Sequence, residues 1–176
     1  MKKIISILLL FAFGFSSCEK DDICDANTPT TPRLVITFYD DIDPTTPAPV
    51  LNLKVQGDGE DTPIIFNSGA VGEAQYLANT TSISLPLKTN GDTVTYKFTY
   101  NANSPTPGAI VVDYLTFKYT RENIYVSRAC GFKMNFVLDP LEPYVHTSDG
   151  SPWMLNITVK NRNIVSENET HLDIVF

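Results

Sequence analysis

Four side chains that could bind a sugar lie close together in the last third of the chain. Tyr144, His146, Asp149 and Trp153 fall within segment 139–154, whose prolines, glycine and aspartates predict a loop. Aromatic rings stack on sugars, and imidazole and carboxylate groups hydrogen-bond to hydroxyls, so these residues are candidate ligand contacts. The alternative is that Trp153 anchors the next strand in the core. We favour this alternative for Trp153 because large aromatic side chains usually pack inside.

No hydrolytic site can be recognised from these residue types. A nucleophile needs a positioned base, yet the chain has no Gly-x-Ser-x-Gly motif and only two histidines, His146 and His171. His171 lies in an alternating apolar run, which indicates a surface or hydrogen-bonded structural residue. With 20 acidic residues, spacing alone cannot select a glycosidase pair. We expect no enzymatic activity and no cofactor, and a glycan-directed hydrolase of the envelope or extracellular space is the alternative.

Two acidic clusters raise the question of calcium binding. They are Asp40, Asp41 and Asp43 after the first predicted strand, and Asp58, Glu60 and Asp61 in a glycine-containing turn. Hard oxygen ligands suit calcium, but neither cluster has the spacing of an EF-hand. Because aspartate and glycine are common in solvated turns, we favour turns and predict no metal site.

The first 17 residues match a secretory signal peptide. Lys2 and Lys3 precede an apolar segment, 4–15, and small residues follow it. The sequence Phe15-Ser16-Ser17-Cys18 resembles a bacterial lipobox, in which the cysteine receives a diacylglycerol and becomes the mature N-terminus. An ordinary signal-peptidase site is the alternative. The resemblance implies that acyl chains on Cys18 anchor the protein in a membrane.

The charged residues after this cysteine resemble an export signal. Glu19, Lys20, Asp21 and Asp22 match the pattern by which lipoproteins of the Bacteroidota reach the outer face of the outer membrane. A solvated charged tether is the alternative. The resemblance implies a lipid-anchored, surface-exposed location at the outer membrane.

Net charge argues against one class of partner. The chain carries −7, and removal of residues 1–17 takes away two lysines and no acid, which leaves −9. Such a field repels phosphate backbones and anionic headgroups. We therefore expect no nucleic-acid partner and a membrane attachment that depends on the lipid.

Two cysteines remain if Cys18 carries lipid. Because the envelope is oxidising, we predict that Cys24 and Cys130 form a disulfide. In the chain-entropy model a loop of this length contributes about 4–5 kcal/mol to stability. A zinc or redox role is less favoured, since Cys-x-x-Cys spacing is absent from the sequence. The bridge would attach the chain to the body six residues after the lipidated cysteine.

Hydrophobic patterning predicts the elements that must position these residues. Apolar residues alternate with a period of two in segments 34–38, 51–55, 94–100, 115–119, 132–138, 155–159 and 172–176. Weaker candidates are 64–66, 74–77, 82–87, 124–127 and 163–166, and 67–78 could hold a short helical turn. Twelve prolines, nearly all between these segments, leave no room for a long helix. We predict a signal peptide at 1–17, a lipidated tether at 18–32 and a single domain at 33–176.

This pattern predicts an all-β, two-sheet antiparallel sandwich of immunoglobulin-like or jelly-roll-like type, with an open β-barrel as the alternative. Asn90-Gly91 suggests a hairpin between 82–87 and 93–100. Pro86 in its first arm predicts an edge strand. The final run, 172–176, is expected to be paired.

Several short motifs resemble a family of small Bacteroidota lipoproteins known only as a domain of unknown function. They are Cys24 near the lipidated cysteine, Thr31-Pro32-Arg33-Leu34-Val35-Ile36, Leu85-Pro86-Leu87, Cys130-Gly131-Phe132 and His171-Leu172-Asp173-Ile174-Val175-Phe176. The resemblance covers most of 18–176 and implies an all-β lipoprotein with no assigned activity and no catalytic residues. We therefore expect a non-catalytic binding or interaction module. Its partner would be an outer-membrane protein, to which the chain is an accessory subunit, or a glycan.

Overall fold

The structure is a computed structural model that describes residues 23–26, 28, 30–106 and 108–176. The predicted signal peptide, the lipidation site Cys18 and the export signal Glu19, Lys20, Asp21 and Asp22 lie outside the described residues. Within the described ranges the strands are β1 Leu34–Tyr39, β2 Val50–Gly57, β3 Leu77–Thr80, β4 Ser82–Leu85, β5 Thr93–Tyr100, β6 Val111–Ser127, β7 Gly131–Leu138, β8 Tyr144–Ser148, β9 Asn156–Val159, β10 Asn163–Ile164 and β11 Leu172–Val175. A 3-10 helix, Gly72–Tyr76, lies in the segment predicted to hold a helical turn. In this part of the chain no helix has the length and apolar character to cross a bilayer.

Two sheets form the predicted sandwich. The smaller has the order β4-β1-β11-β9, and the larger has the order β10-β7-β6-β5-β2-β3, with β8 also paired to β6. Neither order returns to its start, so the described strands do not close into a barrel. All strand pairs are antiparallel except β1 and β11, which are parallel. The final run is paired on both sides, as predicted, because β11 lies between β1 and β9.

The alternating residues of both sheets meet in one core. Phe38 comes from the smaller sheet, and Phe98, Phe117 and Phe136 come from the larger; all four are fully buried. Burial of each such side chain contributes about 1.5–3 kcal/mol. The weaker segments 82–87, 124–127 and 163–166 contribute to β4, β6 and β10, whereas 64–66 forms no strand.

The predicted hairpin at Asn90-Gly91 is wrong. β4 pairs with β1 in the smaller sheet, whereas β5 pairs with β2 and β6 in the larger one. The seven residues between β4 and β5 are enough to cross from sheet to sheet, and Leu87 within them is buried. β4 is nevertheless an edge strand, as Pro86 predicted.

The prediction that Leu51, Leu53 and Val55 share the buried face of β2 is wrong at Leu51. Leu53 and Val55 are buried as expected, but Leu51 is 53% exposed and Val50 is buried in its place. The register shifts between Val50 and Leu53, where Asn52 adopts a φ of 50°. This β-bulge adds one residue and reverses the direction of the side chains that precede it.

Candidate functional site

The predicted loop 139–154 contains a strand. Tyr144–Ser148 forms β8, which pairs with β6 so that His146 lies opposite Leu115 and Tyr144 opposite Phe117. Both partners are fully buried, so Tyr144 and His146 face the interior of the sandwich at its edge. The sequence did not predict this strand because it has only five residues and turn-forming residues flank it on both sides.

His146 meets a buried carboxylate that is not among the residues predicted from the sequence. Asp113 of β6 is fully buried, and its Oδ2 lies 3.1 Å from Nε2 of His146. The same oxygen accepts hydrogen bonds from the backbone amides of Trp153 (3.2 Å) and Met154 (2.9 Å). Asp113 thus joins β6, β8 and the segment that enters β9. The sequence does indicate this position. The alternating run of Leu115 and Phe117, extended two residues toward the N-terminus, places Asp113 on the inner face of the strand.

Trp153 lies in the core, as the alternative in the sequence analysis held. Its exposed fraction is 7%, and its ring stacks on Tyr100 with centroids 5.1 Å apart. Phe38 and Phe176 also contact it, at 6.4 and 6.3 Å. The indole therefore does not offer a surface on which a sugar could stack.

The other two candidates, Tyr144 and Asp149, form hydrogen bonds with groups outside the Asp113 and His146 pair. The Tyr144 hydroxyl donates to the carbonyl of Ile157 in the opposite sheet, and burial raises its pKa. Asp149 is exposed and accepts a hydrogen bond of 2.9 Å from the Tyr114 hydroxyl, which raises the pKa of that tyrosine. The four predicted residues are therefore neighbours in sequence that do not form one binding surface.

The Asp113 and His146 pair has two elements of a base-assisted hydrolytic site. An imidazole held by a buried carboxylate can accept a proton from a nucleophile. Among the described residues, however, no serine, threonine or cysteine side chain hydrogen-bonds to the His146 ring. The carboxylate itself has no exposed surface. This geometry is suited to holding β8 and the 149–155 segment against β6.

The second histidine has a structural partner. His171 is fully buried, and its Nδ1 accepts a 2.9 Å hydrogen bond from the backbone amide of Val35. Burial lowers the pKa of the imidazole. The expectation of a hydrogen-bonded structural residue is confirmed, and the alternative of a surface position is wrong.

The carboxylates of the first acidic cluster accept hydrogen bonds within their own turn. Asp40 accepts from the amide of Ile42, and Asp43 accepts from the amide and hydroxyl of Thr45, which hold the pKa of Asp43 below its ordinary value. In the described ranges no three histidine, cysteine, aspartate or glutamate side chains are grouped so that they could hold a metal ion.

The predicted disulfide is present at the far end of the larger sheet. Cys24 and Cys130 are bridged with a sulfur–sulfur distance of 2.04 Å. The backbone amide of Met134 also donates to the Thr31 hydroxyl at 3.0 Å, so Thr31 lies against β7. A cleft of about 620 Å³ is lined by Cys24, Thr28 and Thr31 on one side and by the end of the β6–β7 hairpin on the other. The predicted tether is thus attached to the domain well before Arg33.

A second cleft, of about 280 Å³, opens where β2 and β5 meet the crossing between the sheets. Ile64, Leu87 and Tyr96 give it an apolar wall, with Glu60 and Lys88 also lining it. The Tyr96 hydroxyl donates to the carbonyl of Pro86.

Residues 52–176 match the model of a family of unknown function, DUF6452. Neither a curated protein nor a solved structure matches the chain. The matched range includes Asp113, His146 and Cys130, whereas Cys24 and Thr31 precede it. Since the match covers most of the sequence, the chain belongs to the DUF6452 family of unknown function.

Proposed function

We propose that this protein is a lipid-anchored outer-membrane lipoprotein of Bacteroidota type, displayed at the cell surface, and that it acts as a non-catalytic interaction module. Its partner in this proposal is a membrane-embedded protein, to which the chain is an accessory subunit. The sequence 15–22 supports the anchor and the location. The disulfide supports the choice of partner.

The single observation that carries the proposal is the position of the Cys24–Cys130 bridge. It holds the chain to the domain six residues after the proposed lipidation site, Cys18. At about 3.3–3.6 Å per residue, those six residues reach at most about 20 Å. A domain on so short a tether stays beside the bilayer, which raises its effective concentration near membrane proteins. Capture of distant glycans would gain from a longer reach.

The alternative, a glycan-directed hydrolase, draws its support from the Asp113 and His146 pair. We expect this pair to be structural because the carboxylate is shielded and already accepts two backbone hydrogen bonds. Hydrolysis of an envelope glycan by the purified protein, lost in His146→Ala but retained in Asp149→Ala, would favour the enzyme instead.

The test is a comparison of tether lengths in the intact cell. Repeating residues 19–23 several times lengthens the reach, while the same insert in the exposed turn at 103–105 leaves the tether unchanged. We expect in-cell cross-linking to a membrane protein to fall with the long tether and to persist with the control insert. Equal cross-linking by all three proteins, or none by the wild type, would overturn the accessory-subunit proposal.

A further inference from the structure

The end of the β6–β7 hairpin extends past the rest of its sheet. β5 pairs with β6 only as far as Lys118, and the pairs from Tyr119 onward are made with β7. We call residues 120–133 the arm. Most of its side chains are exposed or half-buried, so the arm is a surface feature and not a part of the core.

The arm exposes two aromatic rings that the core does not use. Tyr125 is 60% exposed and Phe132 is 68% exposed, and they form a cross-strand pair. Their rings meet edge to face with centroids 5.4 Å apart. Ile23, next to the disulfide, is 82% exposed. Exposed apolar groups that lie together commonly mark a contact with a protein or a membrane.

The same end of the molecule receives the chain from the proposed anchor. Cys130 lies in the arm, and its bridge to Cys24 places Ile23 at the arm's tip. Only residues 19–22 lie between Ile23 and the proposed lipidation site, Cys18. A lipid on Cys18 therefore brings the bilayer within about 20 Å of the bridge. The arm is the part of the domain that the tether holds nearest to the membrane.

The chemistry of the arm suits the bilayer interface. Tyrosine and phenylalanine combine a large apolar area with few rotatable bonds, and aromatic residues are enriched at the level of the headgroups. Arg128 and Lys133 lie in the same segment, although the chain as a whole carries −7. The arm itself, with three basic residues and one acid in 120–133, therefore does not share the acidic character of the whole chain.

We propose that the arm enters the interfacial layer of the bilayer that holds the lipid, with Tyr125 and Phe132 inserted beside the headgroups. This inference rests on the proposed lipid anchor. Because several acyl chains already hold the protein permanently, the arm sets the orientation of the domain and not its affinity for the membrane. The opposite end of the larger sheet then faces away from the bilayer.

The test uses the full lipidated protein reconstituted in vesicles of phosphatidylethanolamine and phosphatidylglycerol, with or without bromine on the acyl chains. Phe132→Trp adds a fluorophore at the tip, and Tyr125→Trp is a second variant at the paired position. Leu141→Trp is the matched control, since Leu141 is 94% exposed at the other end of β7. Trp153, which is buried, supplies the same background in every protein.

We expect the added emission of Phe132→Trp and Tyr125→Trp to shift to the blue on vesicle binding and to be quenched by brominated lipid. The emission of Leu141→Trp should do neither. A solvent-like, unquenched signal at both arm positions in protein that floats with the vesicles would overturn the arm proposal alone. A blue shift without quenching would assign the rings to a protein contact and would also overturn it. An unmodified Cys18 by intact mass would overturn the anchor and the arm together.

Discussion

At the scale of single residues, buried polar groups connect segments that are distant in the sequence. Oδ2 of Asp113 serves His146 and two backbone amides, so one carboxylate oxygen holds together three segments. A polar group in a core costs free energy unless its hydrogen bonds are made. Tyr144 and Trp153 have side chains that could bind a sugar, but the Tyr144 hydroxyl donates to the carbonyl of Ile157 and the Trp153 ring stacks on Tyr100 in the core.

Loss of the Asp113 carboxylate should destabilise the fold. Asp113→Ala leaves the buried amides of Trp153 and Met154 without an acceptor, and each unsatisfied group costs about 1–3 kcal/mol. Asp113→Asn keeps one acceptor and should cost less. Urea unfolding measures the change, with exposed Asp149→Ala expected to stay within about 0.5 kcal/mol. Equal midpoints for Asp113→Ala and the wild type would contradict this account.

The His171 imidazole should make stability depend on pH. Burial lowers its pKa in the folded state from 6.5, although Glu169 and Glu167 oppose the shift. Below about pH 6.5 the unfolded chain therefore binds a proton that the folded chain resists. The stabilisation is complete above that pH and is lost as the pH falls toward the folded-state pKa.

Urea unfolding at about pH 7.5 and about pH 5.5 checks the sign, because these values bracket the ordinary pKa of histidine. We expect the wild type to lose more stability at the lower pH than His171→Asn, whose amide oxygen can still accept from Val35. The same loss in both proteins would contradict the assignment.

At the scale of elements, two local irregularities decide where side chains point. The bulge at Asn52 exposes Leu51 and buries Val50. The crossing after β4 sends neighbouring strands into different sheets. Alternation predicts a strand well, but it does not predict an extra residue inside it or the strand with which it pairs.

The bulge predicts which substitutions of Asn52 should destabilise the fold. An ordinary side chain at the positive φ of Asn52 costs about 1–2 kcal/mol, and β-branched residues are least suited to it. Asn52→Gly should therefore be neutral, and Asn52→Val should lower the free energy of unfolding by about that amount. Leu51→Val, at the exposed neighbour, is the matched control. Equal stability of Asn52→Val and the control would argue against the bulge.

At the scale of the whole molecule, the disulfide and the arm lie at one end of the sandwich, and the proposed lipidation site precedes Cys24 by six residues. Cys24 and Cys130 hold the end of the tether against the β6–β7 hairpin, and Tyr125 and Phe132 are exposed there. In the proposed arrangement this end faces the bilayer. The rest of the surface, which is acidic, would then be accessible to a partner protein.

The anchor and the export signal should be separable. Cys18→Ala should release the protein from membranes, because the acyl chains have no attachment site. Replacement of Lys20, Asp21 and Asp22 by alanine should leave the protein lipidated but hidden from protease added to intact cells. Membrane fractionation, intact mass and surface proteolysis measure these outcomes. Undiminished surface exposure of the second variant would contradict the export signal.

The sequence by itself determined the class of fold and the partner of Cys24. Apolar alternation with a period of two follows directly from strand geometry, so 34–38, 94–100 and 172–176 were assigned to strands that the structure contains. The predicted lipidation of Cys18 and the predicted oxidising compartment led to the pairing of Cys24 with Cys130, and the structure joins these two cysteines across 106 residues. Pro86 marked an edge because it lacks a ladder donor.

Only the tertiary structure decided which chemical groups meet. Asp113 and His146 are 33 residues apart and come together because β8 pairs with β6 in one register. Trp153 is buried because Tyr100, Phe38 and Phe176 surround it. The exposure of Phe132, in a run that predicts a buried face, follows from β6 and β7 extending beyond their neighbours. Strand partners depend on long-range packing, which local alternation does not encode.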